Sequence, residues 1–342
     1  MRTALVYSER YLEHVPSMGH PERPDRLASI VQGLRRNGLW GPPATEIIEP
    51  KKAQVEDLLL VHTEEYIEEV RELGLAEMPI DGDTPVRKNT FEIALLAAGG
   101  TICAGAAVIN GEASNSFALV RPPGHHAFRD RGGGFCYFNN IAIMTRWLQE
   151  RRGILRVAIV DYDAHHGNGT QSIFYEDPSV LYISLHQHPT TLYPGSGFVS
   201  EKGAGEGEGY TVNIPMRPGS GDGEYASAFE EVILPILDQF KPNLIAVSAG
   251  FDSHRDDPLT GLGLSSEAYG WITGMLVGEA ERHCRGRLVV ALEGGYDLDA
   301  LAESAKNVVL ALKGKPFPPP RSEGTPEVVR EVKKTHSKWW RF

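Results

Sequence analysis

Apolar residues recur along this chain in short continuous runs, separated by stretches in which they fall at helical spacing or disappear. Val157–Val160, Val180–Leu185, Thr211–Ile214, Leu244–Ser248 and Leu288–Leu292 are such runs, with Thr3–Tyr7 and Phe117–Val120 before them. Their brevity and β-branched content predict buried strands. Between most of them, Ile141–Arg151, Gly223–Phe240, Ser266–His283 and Leu298–Leu312 carry the period of a helix. Nearer the start, Pro24 fits the first turn of a helix running to about Asn37, with Gly38 as its stop. Val55–Leu73 has helical spacing but is strongly acidic, and Thr90 is placed to cap a long Ala-rich helix to about Asn110. Continuous apolar strands alternating with helices predict an α/β fold: a mainly parallel sheet covered on both faces. No shift of composition divides the chain, so residues 1–314 read as one domain. Lys315–Pro320 (K-P-F-P-P-P) breaks the pattern and opens a Pro-rich linker and tail, 315–342. The tail reads equally as an amphipathic helix docked on the body or on a neighbour, and as a frayed terminus.

Composition narrows the class. The 342 residues are 41% hydrophobic and 23% charged, as in an ordinary soluble globular protein. No run is expected to be long enough to span a membrane, and the first residues lack a signal-peptide pattern. Three cysteines with no CxxC argue against a disulfide scaffold and a thiolate zinc site, and favour a reducing cytoplasm. A net charge of −11 with no basic block in the body argues against nucleic-acid binding. Association of identical chains stays open.

The strand ends carry the chemistry. Val157–Val160 runs into D-Y-D-A-H-H-G-N-G, placing Asp161, Asp163, His165, His166 and Asn168. Burying two carboxylates and two imidazoles costs several kcal/mol unless they are compensated. The alternation D-x-D-x-H sets three donors on one face of extended chain, so a bound cation is the economical answer; a solvated turn is the alternative. Other strands lead into further polar groups: His125 and His126, His186 and His188, Asp252, and Glu293 with Tyr296. In parallel sheets, ligands bind outside the carboxyl ends of the strands, and five strands deliver such groups to that edge. Asp163, His165 and Asp252 make an oxygen/nitrogen set with an open position, suited to catalytic Zn²⁺, with Fe²⁺ or Mn²⁺ fitting the same donors. The adjacent His125 and His126 suit proton transfer near neutral pH, with Asp161 and Asn168 as candidate partners for their far nitrogens. Tyr296 suits donation to an oxyanion. Together the groups describe metal-assisted attack of water on a carbonyl.

Five stretches, R-P-P-G-H-H-A (Arg121–Ala127), G-G-F-C-Y-F-N-N (Gly133–Asn140), D-Y-D-A-H-H-G-N-G, S-A-G-F-D (Ser248–Asp252) and E-G-G-Y (Glu293–Tyr296), resemble the histone deacetylase superfamily of the arginase/deacetylase fold. Weaker likenesses lie at His20–Leu27 and Val61–Ile67. Asn168, where class I members usually carry Asp, resembles the class II branch with its bacterial and archaeal deacetylase and acetylpolyamine-amidohydrolase relatives. The resemblance implies a single-domain three-layer α/β/α fold with a roughly eight-stranded sheet. It implies zinc on Asp163, His165 and Asp252, His126 as general base and acid, His125 with Asp161 as electrostatic assistant, and Tyr296 polarising the acyl carbonyl. It also implies an acyl-lysine tunnel between Phe135 and Tyr193, with the Gly134 carbonyl accepting the substrate amide; Tyr193 departs from the usual Phe. Structural potassium is implied at Asp161, Asp163, His165, Ser184 and Leu185, and again near Phe174, Asp177, Val180 and Tyr210. Leu259 stands where polyamine-selective members place a glutamate, and Asp83 is placed to grip a substrate backbone or cation at the rim. The expected substrates are acyl-lysine proteins or acylated small amines. A ureohydrolase and a silent acyl-binding protein are the remaining alternatives; one D-x-H and the His pair count against the first, the intact constellation against the second.

Overall fold

The computed structural model describes residues 2–322 and 324–342. Eight strands form one sheet: β1 (Thr3–Val6), β2 (Glu46–Ile48), β3 (Asn115–Ala118), β4 (Val157–Asp161), β5 (Val180–Gln187), β6 (Thr211–Met216), β7 (Leu244–Ala249) and β8 (Leu288–Leu292), in the order β2-β1-β3-β8-β7-β4-β5-β6. Every neighbouring pair is parallel. The expected α/β architecture is therefore present, with a sheet that is wholly rather than mainly parallel. Val157–Val160 are each fully buried, which fits strands covered on both faces. One group of helices, α1 (Asp25–Arg36), α9 (Ser266–Cys284) and α10 (Leu298–Leu312), packs together; α4 (Thr90–Ile109) and α5 (Asn140–Arg152) form another. Asp161 on β4 is level with Ser184 on β5 and Ser248 on β7, so the strand ends that carry the polar motifs stand side by side.

The sequence pattern misses or misdraws several elements, each for a local reason. β2 is a three-residue, largely exposed edge strand set between prolines, too short to show a period. The region Val55–Leu73 is not one helix: Thr63 accepts the Tyr66 N–H and starts a new helix, α3 (Glu64–Ala76), after the single turn α2 (Val55–Leu58). Asn168–Phe174 forms a short helix, α6, which the glycine-bracketed text did not suggest. The stretch Gly223–Phe240 splits into α7 (Asp222–Ala228), a wide π-turn at Phe229–Ile233 and α8 (Leu234–Phe240). Pro235, with no N–H to continue the ladder, accounts for the wide turn before it. Thr90 is the first residue of α4 rather than its cap, its hydroxyl accepting the Arg87 N–H.

The expectation that no stretch is long enough to span a membrane is corrected: α4 passes on length and composition. Most of it is buried, against β1, β3, β8 and α5, as in the core helix of a globular fold.

The tail is docked. Its helix α11 (Glu327–His336) buries Val329, Val332 and His336 and covers β6, the far edge strand, which would otherwise expose unpaired backbone groups. Lys333 and Thr325 both bond Glu231, and the Trp340 indole donates to the Gly209 carbonyl at 2.8 Å. Burial, with the charge of Lys202 adding to it, pushes the His336 imidazole down to about 4. Because the undocked tail binds a proton at about 6.5, docking is stable above that pH and weakens as pH falls from about 6.5 towards 4. Hydrogen exchange across residues 327–336 should therefore quicken over that window, and His336→Phe should flatten the dependence. An identical pH response in the variant would remove His336 from this role.

Candidate active site

The loops after β3, β4, β7 and β8 meet over the carboxyl edge of the sheet. β4 ends in Asp161, and the chain turns at once through Asp163 and His165; the loop after β7 brings Asp252 beside them. Ligand atoms of Asp163, His165 and Asp252 lie within 4.8 Å of one another. His165 Nδ1 is 2.8 Å from Asp252 Oδ2 and 3.2 Å from Asp163 Oδ1. Backbone donors aim the carboxylates: Gly294 N–H to Asp163 Oδ2 at 2.8 Å, His165 N–H to Asp163 Oδ1 at 2.9 Å, and Ala164 N–H to Asp252 Oδ1 at 2.8 Å. Gly250 and Gly294 make room for them, since a β-carbon on Gly250 would fall 2.0 Å from Asp163 Oδ2, and one on Gly294 2.5 Å from Asp252 Oδ2.

Charge decides what this cluster accepts. Asp163 and Asp252 are almost wholly buried, and among the described residues no lysine or arginine pairs with either. Burial, with Asp163 beside it, pushes Asp252 up to about 7, while the two carboxylates push the His165 imidazole up to about 10 against its own burial. The cluster draws positive charge, and its oxygen/nitrogen donors fit a divalent zinc-type cation.

The loop after β3 brings the two histidines over this cluster, their rings 4.1 Å apart. His125 Nδ1 lies 3.1 Å from Asp161 Oδ2, which also accepts the Tyr182 hydroxyl at 3.0 Å. Asp161, Asp163 and Glu293 push His125 up to about 10, overcoming burial. His126 Nδ1 lies 2.9 Å from Asn168 Oδ1. That oxygen also accepts the Gly169 N–H, so His126 Nδ1 carries the proton and Nε2 is left as the basic nitrogen. Burial, then the charges of His125 and His165, hold His126 well below its usual value.

These groups open on a narrow cavity of about 80 Å³ lined also by Asp83, Gly134, Phe135, Tyr193, Leu259 and Tyr296. Gly133 and Cys136 exchange backbone hydrogen bonds, and Phe135 between them sits at φ 68°, a left-handed conformation that directs its ring to the wall. Its ring meets Tyr296 edge-on at 5.9 Å, and Tyr193 meets His126 at 5.1 Å. Burial keeps the Tyr296 phenol well above its usual value, hence a donor. A larger cleft of about 690 Å³ beside α6 shares only Asn168 with this set and holds none of the clustered donors.

Not every expected group arrives. His166 turns away to Ser196 and Gln171, His186 bonds Ser184 and the Gly197 carbonyl, and His188 bonds Thr190. Of the potassium candidates, Asp161 and Ser184 are cross-strand neighbours, with Leu185 next on β5. The Phe174, Asp177 and Tyr210 carbonyls each accept one backbone N–H, close to the start of β5, where Val180 lies.

A buried ionic knot behind the site escaped the residue-by-residue reading. Glu22 takes a bidentate bond from Arg121, at 2.8 and 2.7 Å, and another from Arg26 at 3.2 Å. Arg26 donates onward to the Gly295 and Glu293 carbonyls and lies over the Tyr296 ring at 5.0 Å. The Glu293 carboxylate in turn accepts the Gly124 and His125 N–H groups. The signal was present in H-P-E-R-P-D-R-L and R-P-P-G-H-H, where charged residues stand next to prolines beside apolar text. Glu22→Gln would strand two buried guanidinium groups and should cost about 3–5 kcal/mol in denaturant unfolding; a loss below about 1 kcal/mol would contradict the knot's structural role.

Residues 20–312 match the histone deacetylase domain model. A probable deacetylase of Archaeoglobus fulgidus is 45% identical over 100% of this chain and 99% of its own length. Histone deacetylase 7 of Homo sapiens is 37% identical over 99% of this chain, which spans only 40% of that protein. The crystal structure of the HDA15 HD domain superposes with a TM-score of 0.92 at 38% identity, covering 99% of this chain and 95% of that one.

Proposed function

Because this chain belongs to the histone deacetylase family, we propose that it is a zinc-dependent amidohydrolase removing acetyl or other acyl groups from lysine side chains or similar N-acyl amines. One observation carries this: His165, clustered with Asp163 and Asp252, lines the same narrow cavity as His126 and Tyr296. Asp163, His165 and Asp252 would hold the zinc ion, which would supply Lewis acidity towards an acyl carbonyl and a water. His126 takes the water proton at Nε2, its Nδ1–H fixed by Asn168, and later returns a proton to the leaving amine. His125, kept protonated by Asp161, offsets negative charge as it develops on the carbonyl oxygen. Tyr296 keeps its proton and donates a hydrogen bond from the phenol to that oxygen. Phe135 and Tyr193 line the acyl passage and exclude water, and the Gly134 carbonyl receives the substrate amide.

We extend the proposal to structural potassium, held by Asp161, Asp163, His165, Ser184 and Leu185, and by oxygens near Phe174, Asp177, Val180 and Tyr210. Three free cysteines support a cytoplasmic setting. Acetylpolyamine hydrolysis is the second reading, favoured by Asp83 on the cavity wall with Asp81 two residues before it. Apolar Leu259 at the mouth counts against it.

Turnover of an acetyl-lysine peptide, N-acetylputrescine and longer acyl-lysines separates the two, the account expecting the acyl-lysine peptides to be preferred; a preference for N-acetylputrescine would favour the second. Tyr296→Phe should lower kcat about 10²–10³-fold with a small change in KM. An unchanged kcat would remove the phenol from the reaction.

A further inference from the structure

Asp257 stands in R-D-D-P-L, in the loop that carries Asp252 to the metal cluster, and its side chain is 6% exposed. Its carboxylate reaches across to the loop after β8. Oδ2 accepts the N–H of Tyr296 at 2.7 Å and that of Asp297 at 3.3 Å, while Oδ1 accepts the N–H of Leu259 at 3.0 Å. No lysine or arginine among the described residues pairs with it; its charge faces backbone dipoles at the start of α10, which Asp297 caps. From the opposite side, Arg26 holds the Gly295 and Glu293 carbonyls. The segment bearing Tyr296 is thus gripped by its carbonyls on one side and by its N–H groups on the other.

We propose that Asp257 is a positioning residue: by accepting the Tyr296 and Leu259 N–H groups together, it locks the reacting phenol to the tunnel rim and sets its angle over the acyl carbonyl. The inference rests on the deacetylase reading, since it gives Asp257 its effect through Tyr296. A tilt of about 10° at the Cα carries a phenolic oxygen roughly 1 Å, a displacement that costs up to about 10²-fold in rate. Leu259 shares the same carboxylate, so the rim beside the substrate and the oxyanion donor move as one unit.

A double-mutant cycle tests this. Asp257→Asn keeps the shape of the side chain but sets an amide NH₂ against a backbone N–H. It should lower kcat about 10- to 100-fold and leave KM within about threefold, with zinc binding by calorimetry unchanged. In a Tyr296→Phe background the same change should cost less than about threefold, because the group being positioned is gone. Amide exchange across residues 293–297 should quicken in Asp257→Asn whatever the substrate. Equal losses in both backgrounds, or unaltered exchange, would overturn the proposal. Should Asp257→Asn not fold, Asp257→Ser, which reaches fewer of the three amides, should give the same kcat-against-KM split and non-additivity. A wild-type protein that turns over no acyl amide would instead overturn the deacetylase reading, and exchange at 293–297 would still decide whether Asp257 holds the segment.

Discussion

Buried negative charge is the constraint around which this molecule is arranged. Six carboxylates, Glu22, Asp161, Asp163, Asp252, Asp257 and Glu293, lie at or beside the carboxyl edge of the sheet, almost out of solvent. Each has its own form of compensation. Glu22 is met by two guanidinium groups and held down to about 2. Asp161 is met by His125 and the Tyr182 hydroxyl. Asp257 and Glu293 are met mainly by backbone N–H groups. Asp163 and Asp252 share only imidazole and backbone donors, which leaves them the place where a divalent cation would contribute most.

An all-parallel sheet makes that concentration possible. With every strand running the same way, the loops after β3, β4, β7 and β8 emerge on one side, and chain folded for burial delivers its polar ends to a single edge. The wall is then stiffened twice over. Arg26 and Asp257 fix the Tyr296 segment from its two sides, and the left-handed turn at Phe135 sets the ring that meets Tyr296 edge-on. Rigid placement of this sort lets a narrow passage orient an amide without moving parts.

Much of this was legible in the residues. The continuous apolar runs gave the strands and the parallel sheet, because doubly covered strands have no polar face to interrupt them. D-x-D-x-H and S-A-G-F-D pointed to the three clustered donors, because period-two spacing survives into the first turn after a strand. What could not be read depended on distant neighbours or on single residues. Edge strand β2 is too short for a period, and Pro235 widens a helix whose apolar pattern continues unbroken. His186 and His188 carried the same strand-end signal as His125, yet His186 is still within β5 and bonds Ser184 and the Gly197 carbonyl, while His188 bonds Thr190. Asp257 looks in sequence like any loop acid; its meaning lies in the N–H groups of a loop some forty residues later.

Metal and turnover counted together on one preparation test the central claim most directly. Protein stripped by a chelator would be titrated with zinc, with the bound ion measured per chain and acetyl-lysine hydrolysis followed at each step. The account predicts one strongly bound ion per chain at the Asp163–His165–Asp252 cluster, with hydrolysis rising from nothing in proportion to occupancy, and both lost in Asp252→Ala. Full hydrolysis by protein carrying no metal would contradict it.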